Sequence, residues 1–168
     1  RDFCLSRGLG DVYKRQITGG SGDDLFIASA AANNFDGGTS TATSHNRVSY
    51  ASDTADLTID LLTPGAIGLG GNAQGDTYVN IQDLTGGAGN DTFIASAAAN
   101  NFDGGGGLHN RVSYASDTAN LTIDLLTVGA IGLGGNAQGD TYTCLLYTSE
   151  AADEGLGVDL GGRRIIEK

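Results

Sequence analysis

The sequence predicts an all-β chain, wound as a solenoid of short strands joined by glycine-rich turns. Three observations lead there. The pattern G-G-x-G-x-D-x-U-x, with U a large apolar residue, stands at residues 19–27 and again at 86–94. A nine-residue phase continues beyond each copy, so that Phe26 and Phe35 lie nine apart, as do Phe93 and Phe102. The middle of the chain is also an internal repeat, the signature of stacked units that bury a shared core. Residues 17–38 align with 84–105 at an offset of 67, with 18 of 22 positions identical. Residues 45–78 align with 109–142 at an offset of 64, with 32 of 34 identical.

Each part of the nonapeptide has a physical task. Glycine lets the backbone take positive φ and turn sharply, which exposes carbonyl oxygens. The aspartate, Asp24 or Asp91, adds a charged oxygen. The last three residues read as a short strand whose central side chain, Phe26 or Phe93, points into a core. Calcium takes several oxygen ligands in a flexible shell, and such a turn offers them.

The rest of each unit reads as strand and loop. Residues 47–50, 57–61 and 77–81 alternate apolar with polar, as a strand with one buried face does. Residues 63–65 and 68–76 are glycine-rich loops, and 70–76 within the latter resemble the nonapeptide turn with one residue inserted. The alanine run 28–32 alone favours helix. The flanking glycine pairs and the nine-residue recurrence instead favour turns between short strands, and no segment carries a long amphipathic helical pattern.

The two ends read differently from the middle. Residues 11–16 and 144–149 can be encoded by inverted copies of one DNA sequence, similar to the mosaic end of a transposase-based sequencing adapter. Residues 1–16 and 144–168 are therefore expected to be translated adapter and irregular in structure. Residues 17–83 form a first module and 84–143 a second, shorter one. Both cysteines, Cys4 and Cys144, fall in the flanks, as do seven of the nine Lys and Arg residues. The middle keeps Arg47 and Arg111 against 13 aspartates, and so carries the whole formal charge of −11. That charge argues against binding nucleic acid. No membrane span is seen.

Residues 17–143 contain 22 glycines in 127 positions and few aromatics. Little apolar surface is available, and the aspartates repel one another in a compact state. Burial alone outweighs conformational entropy with difficulty in such a chain. A divalent cation would neutralise carboxylates, fix turns and lend its binding energy to folding. Other constellations are weaker. His45 with Ser44, Ser49 and Asp53 has the residue types of a hydrolytic triad, but a locally bonded or solvated histidine is the simpler reading, and the same holds for His109. Asp23, whose repeat partner is Asn90, reads as a solvated carboxylate. Asp36 and Asp103 either join a cation site or start the next turn. Arg47 and Arg111 are expected to pair with aspartate or to cover a sheet.

The two nonapeptides resemble the RTX, or haemolysin-type, calcium-binding repeats. That resemblance implies a parallel β-roll in which successive strands alternate between two sheets. It places calcium between turns on the same side, with Asp24 and the carbonyls near Gly20 and Gly22 as ligands, and likewise Asp91 with those near Gly87 and Gly89. The same-side partner turns would begin at Gly37-Gly38 and Gly104-Gly105, where aspartate is missing from the sixth place; Asn46 and Asn110 could replace it if the loops bulge. The resemblance implies a non-enzymatic, calcium-folded segment of a secreted or cell-surface bacterial protein, with calcium ions and neighbouring repeats of a longer array as partners. Two other readings stay open. One is an adhesin or matrix spacer that binds a surface or matrix ligand without essential calcium. The other is the carrier region of a secreted hydrolase.

Overall fold

A computed structural model of the chain describes residues 14–145, apart from 40, 42 and 128. The expectations for residues 1–13 and 146–168, most of both flanks, lie outside the described residues. Within them the chain is all-β. Strands of three or four residues follow one another, and the only helical pieces are two single 3-10 turns, Gly71–Ala73 and Gly135–Ala137.

The strands fall into three sheets, and every strand pair is parallel. One sheet holds β1 (Arg15–Thr18), β3 (Asn33–Asp36) and β6 (Thr77–Val79), in that order. The middle sheet has five strands: β2 (Leu25–Ile27), β4 (Arg47–Ser49), β7 (Asp83–Thr85), β9 (Asn101–Asp103) and β11 (Thr141–Thr143). The third orders β5 (Thr58–Asp60), β8 (Thr92–Ile94) and β10 (Arg111–Ser113). The resemblance implied two sheets. Strands β1 to β4 do alternate between two, but β5 of the first module leaves both for the third sheet, and β7 to β10 alternate between the middle sheet and the third. Strand β4 of the first module pairs with β7 of the second, and β5 pairs with β8.

Registers align the inward side chains into three ladders. Ile17, Phe35 and Tyr78 stand in line on the first sheet. Phe26, Val48, Leu84, Phe102 and Tyr142 do so on the middle sheet. Ile59, Phe93 and Val112 do so on the third. The ladders meet face to face. Phe26 and Phe35 have ring centroids 5.6 Å apart, and Phe93 and Phe102 5.7 Å apart in a stacked pair. Phe35, Phe93 and Phe102 are fully buried, and each contributes about 1.5–3 kcal/mol of apolar burial.

The nonapeptide strands fall where the sequence places them, at 25–27 and 92–94, and the alanine run 28–32 is a turn. The runs 47–50 and 57–61 shorten to Arg47–Ser49 and Thr58–Asp60, and two further boundaries differ. The run 77–81 ends as a strand at Val79, because Asn80 takes a left-handed φ of 53°. Its side-chain amide then donates to the Gly38 carbonyl at 2.9 Å and to Asp36 Oδ1 at 3.1 Å. At the start, Arg15 and Gln16 are not irregular. They form the first half of β1, in register with Asn33 and Asn34.

Candidate metal centre at the glycine-rich turns

The turn 19–24 carries the chain from β1 to β2, and the turn 37–46 carries it from β3 to β4. Because β1 pairs with β3 and β2 with β4, these turns stack. Gly19 N–H donates to the Asp36 carbonyl at 2.8 Å, and Thr39 N–H to the Gly20 carbonyl at 3.0 Å. The second copy repeats this between turns 86–91 and 104–110: Gly86 N–H bonds the Asp103 carbonyl at 2.8 Å, and Gly106 N–H the Gly87 carbonyl at 2.6 Å. Gly38 and Gly105 sit at φ of 78° and 69°, and a Cβ on either would run into carbonyls of the turn below. The expected partner turns are therefore the ones brought together.

The aspartates turn back on their own loops. Asp24 Oδ2 accepts from Gly20 N–H at 2.7 Å, and Oδ1 takes no hydrogen bond among the described residues. Asp91 Oδ2 accepts from Gly87 N–H at 2.8 Å, while its Oδ1 accepts from Leu57 N–H at 2.9 Å. Asp91 is fully buried and Asp24 half-buried. The difference follows from stacking: the coil 50–57 covers the second turn, and no described coil covers the first. Among the described residues, no group of three or more His, Cys, Asp or Glu side chains is placed to hold a metal ion. A calcium site here would rest on one carboxylate with backbone oxygens. The donor set fits such an ion better at Asp24, which has an oxygen to spare, than at Asp91, where both oxygens already hold amides.

Sequence reasoning missed a second role for these positions. The residue just before each strand of the middle sheet is polar, from Asp24 through Asn46, Gln82 and Asn100 to Asp140, and these residues stack in register. Asp24 N–H donates to Asn46 Oδ1 at 2.9 Å, Asn46 N–H to Gln82 Oε1 at 3.0 Å, and Asn100 N–H to Asp140 Oδ1 at 2.8 Å. On the third sheet, Asp91 N–H donates to Asn110 Oδ1 at 2.8 Å. Asn46 and Asn110 do occupy the sixth place after a bulged loop, but their side chains serve this ladder. Asp36 and Asp103 start the next turn, accepting from Gly38 and Gly105 N–H at 2.9 and 3.0 Å.

The other unforeseen feature is a pair of tyrosines on a buried aspartate, made once in each module. Tyr50 donates to Asp76 Oδ2 at 2.7 Å and lies 2.7 Å from the Tyr78 hydroxyl; Asn33 N–H reaches Asp76 Oδ1 at 2.6 Å. Tyr114, Asp140 and Tyr142 repeat it. Equivalent residues recurring in both repeats were the signal available. Burial pushes the Asp76, Asp91 and Asp140 carboxyls above their ordinary value, against the hydrogen bonds that favour the ion. Asp53 runs the other way: burial raises it, but amides of Ala55, Asn72 and Thr54 outweigh that and hold it low. Amides of Asn136 and Ala119 hold Asp117 low as well.

The sign of the pH dependence follows. A raised carboxyl binds its proton more tightly in the folded state. Its contribution grows as pH falls through the raised folded value and is complete below the ordinary value of 3.8. The depressed carboxyls contribute above 3.8 and lose that contribution only as pH falls below it. We expect the denaturation midpoint, measured in chelator, to rise as pH falls from neutral toward 3.8. Asp76→Asn should flatten the rise; a midpoint that falls over this range would refute the assignment.

The histidine reading resolves into a hydrogen-bond contact beside an ion pair. His45 Nδ1 lies 3.1 Å from Asp83 Oδ1, and Arg47 Nη2 3.1 Å from Asp83 Oδ2. His45 thus bonds a residue 38 positions away rather than locally, and among the described residues it makes no hydrogen bond to a serine. Asp23 is exposed but bonded, accepting from His45 N–H at 2.9 Å. Asn90 does the same for His109 N–H at 2.9 Å, which is why either residue serves there. The chain matches no family model, no curated protein and no solved structure.

Proposed function

We propose that this chain is a repeat segment of a secreted or cell-surface bacterial protein, a parallel β-roll solenoid resembling the RTX repeats, whose glycine-rich turns take calcium. Its role is structural: a segment that stays unfolded where calcium is scarce and folds where it is abundant, and then spaces other parts of a longer protein. The observation that carries this reading is the stacking of each nonapeptide turn on the turn two strands later, which gathers carbonyls of two turns beside one aspartate. Net charge supports it, since 13 aspartates face two arginines in the repeated region.

A second reading has its own support. Both oxygens of Asp91 hold backbone amides, so that turn is satisfied without a cation. On this reading the array is a spacer of an adhesin or matrix protein, and calcium is incidental. Circular dichroism of the chain, titrated with calcium, then chelator, with magnesium as control, separates the two. A coil-to-β change specific to calcium and reversed by chelator is expected. A full β signal in chelator would leave the calcium-free spacer standing.

A further inference from the structure

The geometry points to head-to-tail self-association: the surface that joins the two modules inside one chain is left open, among the described residues, at both ends of the stack and accepts a second copy of this chain. The module junction is made by β4 pairing with β7 and β5 with β8. The repeat gives each of these strands a counterpart. At one end β10 is the copy of β4, and residues 122–124 are the copy of β5. At the other end β1 is the copy of β7, and β2 of β8. Among the described residues β10, β1 and β2 each have a strand on one side only.

Exposure records what the junction covers. Ile59 is fully buried beneath β8, while its copy Ile123 is 39% exposed. Leu126 is 86% exposed, whereas its copy Leu62 is half-buried. At the other end, Ile27 is 75% exposed and its copy Ile94 half-buried. The turns show the same asymmetry. A Cβ on Gly89 would stand 2.2 Å from the Ala55 carbonyl, because coil 50–57 lies on that turn, yet a Cβ on Gly22 would meet nothing within 4 Å. The coil equivalent to 50–57 is 114–121, at the far end of the chain. In the associated pair it would lie on turn 19–24 of the next copy, and β10 would pair with β1 so that Val112 meets Ile17. The segments are complementary because they are near-identical to the pair already joined. Such a contact is heterologous and does not close on itself, so association continues end to end. One difference weakens it. Asp83, the partner of Arg47, has Gln16 at its repeat position, so Arg111 would meet a neutral side chain.

Sedimentation of the whole chain over a concentration series, in chelator, tests this independently of calcium. Species at multiples of the 17.0 kDa chain are expected. Gly22→Ala blocks one end and Ile123→Asp the other, and each should weaken association by roughly 100-fold, since a backbone clash or a buried charge defeats the junction. Each variant keeps one good end, so mixing them should restore a one-to-one pair that grows no further. Gln16→Asp should tighten the wild-type association by supplying the missing ion pair. Circular dichroism of each variant separates failure to associate from failure to fold. A wild-type chain that stays monomeric while folded, association that survives in both single variants, or a mixture that stays monomeric would each overturn the inference.

Discussion

Gly89→Ala is expected to unfold the chain or nearly so, while Gly22→Ala leaves the stability of the isolated monomer unchanged. The two glycines fill the same place in the same motif, and neither has a positive φ. What separates them is the coil on top. An added Cβ at 89 would come within 2.2 Å of the Ala55 carbonyl and 2.4 Å of its carbon, both backbone atoms of a stacked coil. Backbone cannot step aside as a flexible side chain can. The coil must lift, which exposes Leu57 and breaks the bond from Leu57 N–H to Asp91. Overpacking costs about 1–3 kcal/mol where neighbours adjust, and a lifted coil adds the lost burial of Leu57, again about 1.5–3 kcal/mol. Together these approach the whole stability of a small domain. Urea denaturation followed by circular dichroism would measure both variants. Equal effects at 22 and 89 would mean that coil 50–57 does not stack as described.

Asp91→Ala should be the second severe change, and its counterpart Asp24→Ala a mild one. Asp91 answers two buried amides, those of Gly87 and Leu57, each of which costs about 1–3 kcal/mol when left without an acceptor. A loss of about 2–5 kcal/mol is expected from the pair. Asp24 answers only Gly20 N–H, at an exposed position that water can serve, so less than about 1 kcal/mol is expected. Asp91→Asn falls between, because one carboxamide oxygen can accept while the NH2 group faces a second donor. Measuring all three in chelator removes calcium as a cause. If Asp24→Ala were the more damaging in chelator, the hydrogen-bonded role assigned to Asp91 would fail.

These contrasts show what could be read in the sequence and what could not. The nonapeptide strands, their inward phenylalanines and the partner turns at Gly37-Gly38 and Gly104-Gly105 were legible, because each depends on a pattern nine residues long. The third sheet was not legible. It arises where β5 leaves the plane of β4, and the long loop 61–76 returns the chain to the first sheet. The pre-strand ladder was hidden by chemistry: aspartate, asparagine and glutamine all offer a side-chain oxygen, so no single letter recurs. Tyr50, Asp76 and Tyr78 escaped notice because Tyr50 lies 26 residues from its aspartate. Asp91 was expected as a ligand from the resemblance of its nonapeptide, and its bond to the Leu57 amide became visible only when coil 50–57 was laid against turn 86–91.

Asp83 carries a consequence for how the chain finds its fold. Two segments this alike can exchange partners: β4 could take β1 in place of its copy β7, at little cost in apolar contact. Asp83 breaks that degeneracy. Its carboxylate takes His45 and Arg47 from the first module and the Asn101 amide from the second, whereas β1 has only Gln16 in the same place. One charged side chain thus serves as an address, marking which of two interchangeable neighbours belongs beside it. Near-identical repeats gain stability from their likeness, and they avoid tangling through the few positions where that likeness is withheld.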